Sequence, residues 1–175
     1  MKIIETKVYQ FDELTESAKE KAIEELYDIN VDFDWWDCTY EDAKTIGLDI
    51  SGFDLGRSNF CAGDLIEDIE KVVDLIIENH GKACQTFRDA RQYKKDRTEL
   101  VIKFSDGIDT NTVAEDNEDD FDDDCDELDA EFLKSLLEDY RIILSKEYDY
   151  LTSREAIEDT IKANEYDFAE DGKLF

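Results

Sequence analysis

The chain has 175 residues, with 49 Asp and Glu against 20 Lys and Arg, which gives a formal net charge of −29. A hydrophobic share of 41% supports a real core, so wholesale disorder is not expected despite the charge. No apolar run approaches the ~18 residues of a membrane span, and direct nucleic-acid binding through a broad positive surface is not expected, because phosphate contacts need Lys and Arg in excess.

The opening segment, residues 2–10, alternates Ile4, Thr6 and Val8 with Ile3, Glu5 and Lys7 and reads as a strand. It has no apolar stretch ending in small residues, so a secretory leader is not expected. A helix follows to about Asp28, with Thr15 as N-cap and Ala18, Ala22, Ile23 and Leu26 at helical spacing. A second helix is expected over residues 31–46, entered near Asp34 and stopped by Gly47. On it Phe33, Trp36 and Tyr40 share one face, which assigns them to the core. Trp35 points elsewhere and is the interface candidate.

Leu48, Ile50 and Phe53 suggest a strand, residues 56–59 a turn, and residues 60–62 a returning strand. The clearest helix spans residues 64–80, with a face of Leu65, Ile66, Ile69, Val72, Val73, Ile76 and Ile77, and it ends at Gly81. Residues 82–97 form a further, basic helix. Residues 100–105 read equally as strand or helix, with Asp106-Gly107 as a turn. Residues 105–127 are polar and without clear period. They read as an acidic loop or insertion. From Leu128 a long helix runs to about Tyr150. Thr152 and Glu155 suggest a capping box before a last helix over 153–163. Asp171-Gly172 among aromatic residues signals a closing hairpin. The expected architecture is α+β: a single domain over residues 1–175, with about five helices packed on a small, mainly antiparallel sheet that joins both chain ends.

The chain offers little for an active site. Its one histidine, His80, sits at a helix end, where a positive group meets the negative end of the dipole. Neither a phosphate-binding glycine motif nor a nucleophile elbow is present. Asp122, Asp124 and Asp126 alternate as in a calcium loop. However, Glu127 stands where the turn glycine belongs and Leu133 where the bidentate Glu belongs. Cys38, Cys61, Cys84 and Cys125 form no C-x-x-C pair, and free thiols are the default for an intracellular chain. No catalytic residue, metal or cofactor is expected.

Two features stand out. In residues 115–129, eleven of fifteen are Asp or Glu, and residues 105–140 hold sixteen acids against Lys134. This block reads either as a solvated loop or as a surface imitating the phosphates of nucleic acid, which in duplex DNA supply one charge per ~1.7 Å of axis. Its candidate partner-binding residues are Asp119, Asp120, Asp122, Asp123, Asp124 and Asp126. A second cluster, Asp32, Asp34, Asp37, Glu41 and Asp42 around Trp35, is the other candidate surface. The second feature is basic: Arg88, Arg91 and Lys95 share a helical face, with Lys82, Lys94 and Arg97 nearby. This face either neutralises neighbouring acids or meets an acidic part of a partner.

Three stretches carry a family likeness: Y-x-F-D-E-L-T-E-x-A-K-E-K-A-I from Tyr9, D-x-x-W-W-D-x-x-Y-E-D-A-K-x-I-G from Asp32, and the ending A-N-E-Y-D-F-x-x-D-G-K-L-F. The chain thereby resembles a group of small acidic proteins from bacteriophages and prophages, some labelled antitoxin-like. The resemblance implies a phage setting and a place in the host cytoplasm, and it assigns no residue a role. In charge and size alone the chain is also similar to phage proteins that imitate DNA and block restriction or CRISPR nucleases. The expectation is a non-enzymatic inhibitor of a basic, nucleic-acid-binding host protein. The alternative is an antitoxin-like or regulatory protein that caps a basic partner without imitating nucleic acid.

Overall fold

A computed structural model describes residues 7–107 and 116–175. Residues 2–6 of the strand expected over 2–10, and residues 108–115 of the acidic segment, lie outside the described residues. Within them the fold is α+β, with six α-helices and two small antiparallel sheets where about five helices and one sheet are expected. The chain forms two compact units: residues 1–36 with 145–175, and residues 37–144.

The first unit joins the chain ends, as the sequence suggests. Strand β1 (Tyr9–Gln10) pairs antiparallel with β4 (Asp167–Phe168), Tyr9 opposite Phe168. A 3-10 turn (Phe11–Glu13) leads to α1 (Glu16–Glu25), whose N-cap Thr15 accepts from the Ala18 amide at 3.3 Å. Helix α6 (Arg154–Ala163) is capped by Ser153, which accepts from the Ala156 amide. The expected cap, Thr152, instead donates its hydroxyl to the Tyr148 carbonyl at 2.8 Å, still inside the preceding helix. Phe11, Leu14, Ala18, Ala22, Ile157, Ile161 and Phe168 form the core. The closing turn is present: Gly172 has φ +89°, and the Ala169 amide donates to the Lys173 carbonyl at 2.9 Å. A side chain at Gly172 would collide with the Ala18 carbonyl, so glycine is required there.

The second unit builds on the hairpin β2 (Leu48–Asp54) and β3 (Phe60–Leu65). Asp54 closes its turn by accepting from the Gly56 and Ser58 amides, and these bonds hold its carboxyl below the usual range. Helix α2 (Asp37–Thr45) is shorter than expected, because residues 31–36 form turns. Gly47 follows it at φ +81°. Helix α3 (Ile69–Asn79) starts later than the apolar pattern suggests, since Leu65 belongs to β3 and Ile66 to the turn. Its buried face is Val72, Val73 and Ile76, and Ile69 is only partly covered. Helix α4 (Gln85–Gly107) carries residues 100–105 as helix.

Helix α5 (Asp116–Leu151) is the largest departure from expectation, because it continues through residues 116–127, which read as a loop. Its inner seam explains the continuity. Phe121, Cys125, Leu128, Phe132 and Leu136 recur at steps of four, three, four and four. Phe121 meets Phe104 of α4 edge-on with centroids 4.7 Å apart, and Phe132 meets Tyr93 at 4.7 Å. Leu136 and Tyr140 are fully buried with Ile46, Leu48 and Ile76.

Candidate interaction surface

Because the seam of α5 docks on α4, the acids between its apolar positions fall into two classes. Asp124 and Asp129 flank the seam and are half-buried. Asp124 lies 3.5 Å from the Lys103 ammonium. Asp129 accepts from the Tyr93 hydroxyl at 2.7 Å and lies 3.9 Å from Arg97. Burial, then the Asp129 carboxylate, pushes the Tyr93 phenol upward. In contrast, Asp120, Asp122, Asp123, Asp126, Glu127 and Glu131 are exposed. Asp119 belongs to the helix, and its side chain is outside the described residues.

The helix sets the charge spacing. Residues 120–131 rise about 17 Å at ~1.5 Å each. Eight of these twelve residues are carboxylates, roughly one per 2 Å of axis, close to the ~1.7 Å per charge of duplex DNA. Between α4 and α5 a groove of about 430 Å³ extends the acidic surface, with Asp96 and Glu99 opposite Glu127 and Glu131.

The second candidate cluster is not assembled in the same way. Asp32, Asp34 and Trp35 belong to the first unit, whereas Asp37, Glu41 and Asp42 belong to the second. All five acids are exposed. Asp42 is an anchor inside its own unit: it accepts from the buried Tyr140 hydroxyl at 2.9 Å and sits 4.0 Å from His80 Nε2. Trp35 corrects the sequence reading. It is 8% exposed and packs on Trp36 and Tyr148, with ring centroids 5.7 and 5.8 Å away. Phe33, assigned to the core from helical spacing, is 62% exposed. The reversal has a simple cause: residues 31–36 are turns, so a 3.6-residue period does not apply to them.

The basic helix partly neutralises its neighbours. Arg97 and Lys103 reach α5, and Lys94 reaches Asp74 of α3 at 2.7 Å. Arg88, Arg91 and Lys95 do share a face, and with Lys82 they line a shallow groove. His80 is the C-cap of α3, with its Nδ1 2.6 Å from the Thr86 hydroxyl. A sequence search for acids alone misses one more pair, Asp89 and Asp139, on facing sides of α4 and α5. Asp89 accepts from Ser135 at 2.6 Å and from Gln85 at 2.7 Å, while Asp139 Oδ2 is shut off from solvent without a donor. Burial, then the Asp89 carboxylate, pushes Asp139 up to about 7.

Asp122, Asp124 and Asp126 stand on a helix, which cannot wrap a cation as a calcium loop does. Among the described residues no group of three or more His, Cys, Asp or Glu is placed to hold a metal, and no helix is long and apolar enough to cross a membrane. The cysteines are free, Cys125 buried in the α5 seam and Cys61 raised to about 11, chiefly by burial. No family model, curated protein or solved structure matches the chain.

Proposed function

We propose that the protein is a non-enzymatic inhibitor that lays the exposed acids of α5 into the nucleic-acid channel of a basic host defence protein, a restriction or CRISPR effector. The observation that carries this reading is the row of exposed carboxylates on Asp120, Asp122, Asp123, Asp126, Glu127 and Glu131. The row holds roughly one charge per 3 Å of axis, against ~1.7 Å in duplex DNA, on a helix ordered by its own apolar seam. A helix presents such charges without the entropy cost of freezing a loop on binding. A basic channel attracts them at long range, so association is fast and sensitive to salt. The resemblance to small acidic phage proteins agrees with this setting.

The test is displacement. A purified restriction or CRISPR nuclease is loaded with labelled DNA and titrated with the protein. Release of DNA in step with inhibition is the expected result. Inhibition with DNA still bound would favour an antitoxin-like capping protein instead.

A further inference from the structure

The segment between α1 and α2 presents two large aromatic side chains to solvent, Phe33 at 62% and Tyr27 at 45% exposure. Single exposed apolar residues are ordinary on protein surfaces. Here, however, the backbone that carries them is fixed. Buried Asn30 donates to the Leu151 carbonyl at 3.0 Å and accepts from the Thr160 hydroxyl at 2.7 Å. The Ile29, Val31 and Trp35 amides donate to the Leu26, Asp28 and Phe33 carbonyls. Tyr27 lies beside Tyr148, against which the Trp35 ring also rests at 5.8 Å. Tyr27 and buried Trp35 thus both border Tyr148.

The segment that carries them has one sign of charge. Asp28, Asp32 and Asp34 alternate with the aromatic residues and are exposed, and no Lys or Arg occurs in residues 22–43. Tight interfaces place aromatic anchors at the centre of a ring of polar residues. An anchor rigid before binding loses little entropy on insertion. We propose that Tyr27 and Phe33 are a pre-ordered anchor that enters an apolar pocket rimmed by Lys and Arg on the basic partner protein. This rests on the proposed function in requiring a basic partner, and it adds an apolar contact on the other compact unit.

Two peptides of equal positive charge test it, an oligolysine and one with leucines interspersed. The wild-type protein is expected to prefer the leucine-bearing peptide by about tenfold, the order of one hot-spot contact. Phe33→Ala and Tyr27→Ala are expected to remove most of that preference while leaving oligolysine affinity and its salt dependence intact. Ile66→Ala, which alters an equally exposed residue of the second unit, is expected to change neither. An unchanged preference in Phe33→Ala, or an equal loss in Ile66→Ala, would overturn the anchor. Sedimentation showing a wild-type dimer that Phe33→Ala dissociates would also overturn it, making the occupant a second copy. The proposed function fails separately. Replacing the exposed α5 acids by amides is expected to weaken both peptides alike, and no change there would remove the α5 surface while leaving the anchor standing.

Discussion

The two acidic clusters differ less in charge than in how the fold holds them. Residues 116–131 lie on one continuous helix within one compact unit. Residues 32–42 are split between the two units, and their aromatic centre, Trp35, is buried. Acid density alone does not make a charged surface. What makes one is an apolar seam regular enough to impose helical spacing on the acids between its members, which the first cluster has and the second lacks.

The largest effect that could break this comparison is functional. Changing Asp120, Asp122, Asp123 and Asp126 to Asn is expected to weaken displacement of DNA from the nuclease by at least ~100-fold, at roughly 1 kcal/mol or more per desolvated charge contact. Asp32→Asn with Asp34→Asn is expected to cost roughly tenfold or less, as rim charges do. Equal losses would put the clusters on the same footing. The α5 variant should fold at least as stably as the wild type, because like charges three and four residues apart on a helix repel, and a thermal melt checks this.

Trp35 sharpens the contrast. As a core residue, Trp35→Ala should lower stability by roughly 3–5 kcal/mol, measured by denaturant unfolding. A variant with unchanged stability and lost binding would return Trp35 to the interface.

The inner side of α5 gives a pH test. Burial, then the Asp89 carboxylate, lets Asp139 keep its proton in the folded protein up to about pH 7, against about 4 for an exposed Asp. The groups that influence it most are Asp89 and Arg88 from α4 and Glu138 on its own helix. The folded state therefore binds more protons than the unfolded one between these values. The corresponding stability is full below about pH 4 and is lost as pH rises through about 7. Asp139→Asn should flatten that part of the stability profile, whereas Asp123→Asn on the solvent side should not. Thermal melts across this range distinguish the two. The smallest effect belongs to the caps: Ser153→Ala should cost about 1 kcal/mol and Thr152→Ala less, since Ser153 alone holds an α6 amide.

Much of the fold was legible where one local signal dominated. The capping hydroxyl of Thr15, the stop at Gly47, the β2–β3 hairpin and the Asp171-Gly172 turn are each set by neighbours in sequence. The acidic segment misled because eleven acids mask an apolar repeat that begins with Phe121 and Cys125 and is completed only by contact with α4. Counting Cys125 as a small apolar residue would have exposed the seam. Trp35 misled for the opposite reason: a helical period was imposed on residues that turn. The apolar run suggests too early a start for α3, because Leu65 and Ile66 extend it while pairing and hydrogen bonding, Leu48 opposite Leu65 and the Ile66 amide to Gly47, claim them for the hairpin. The Asp89–Asp139 pair could not be found among 49 acids without the packing that brings the two helices together.

The central claim is that the exposed carboxylates of α5 replace phosphates in a basic channel. The most direct measurement is the affinity for the nuclease as a function of salt, for the wild type and for the variant with Asp120, Asp122, Asp123 and Asp126 changed to Asn. The account predicts a steep loss of wild-type affinity as salt rises, because screening shortens to ~8 Å at physiological ionic strength, and a clearly flatter dependence for the variant. Wild-type affinity that does not change with salt, or a variant with the same slope, would contradict it.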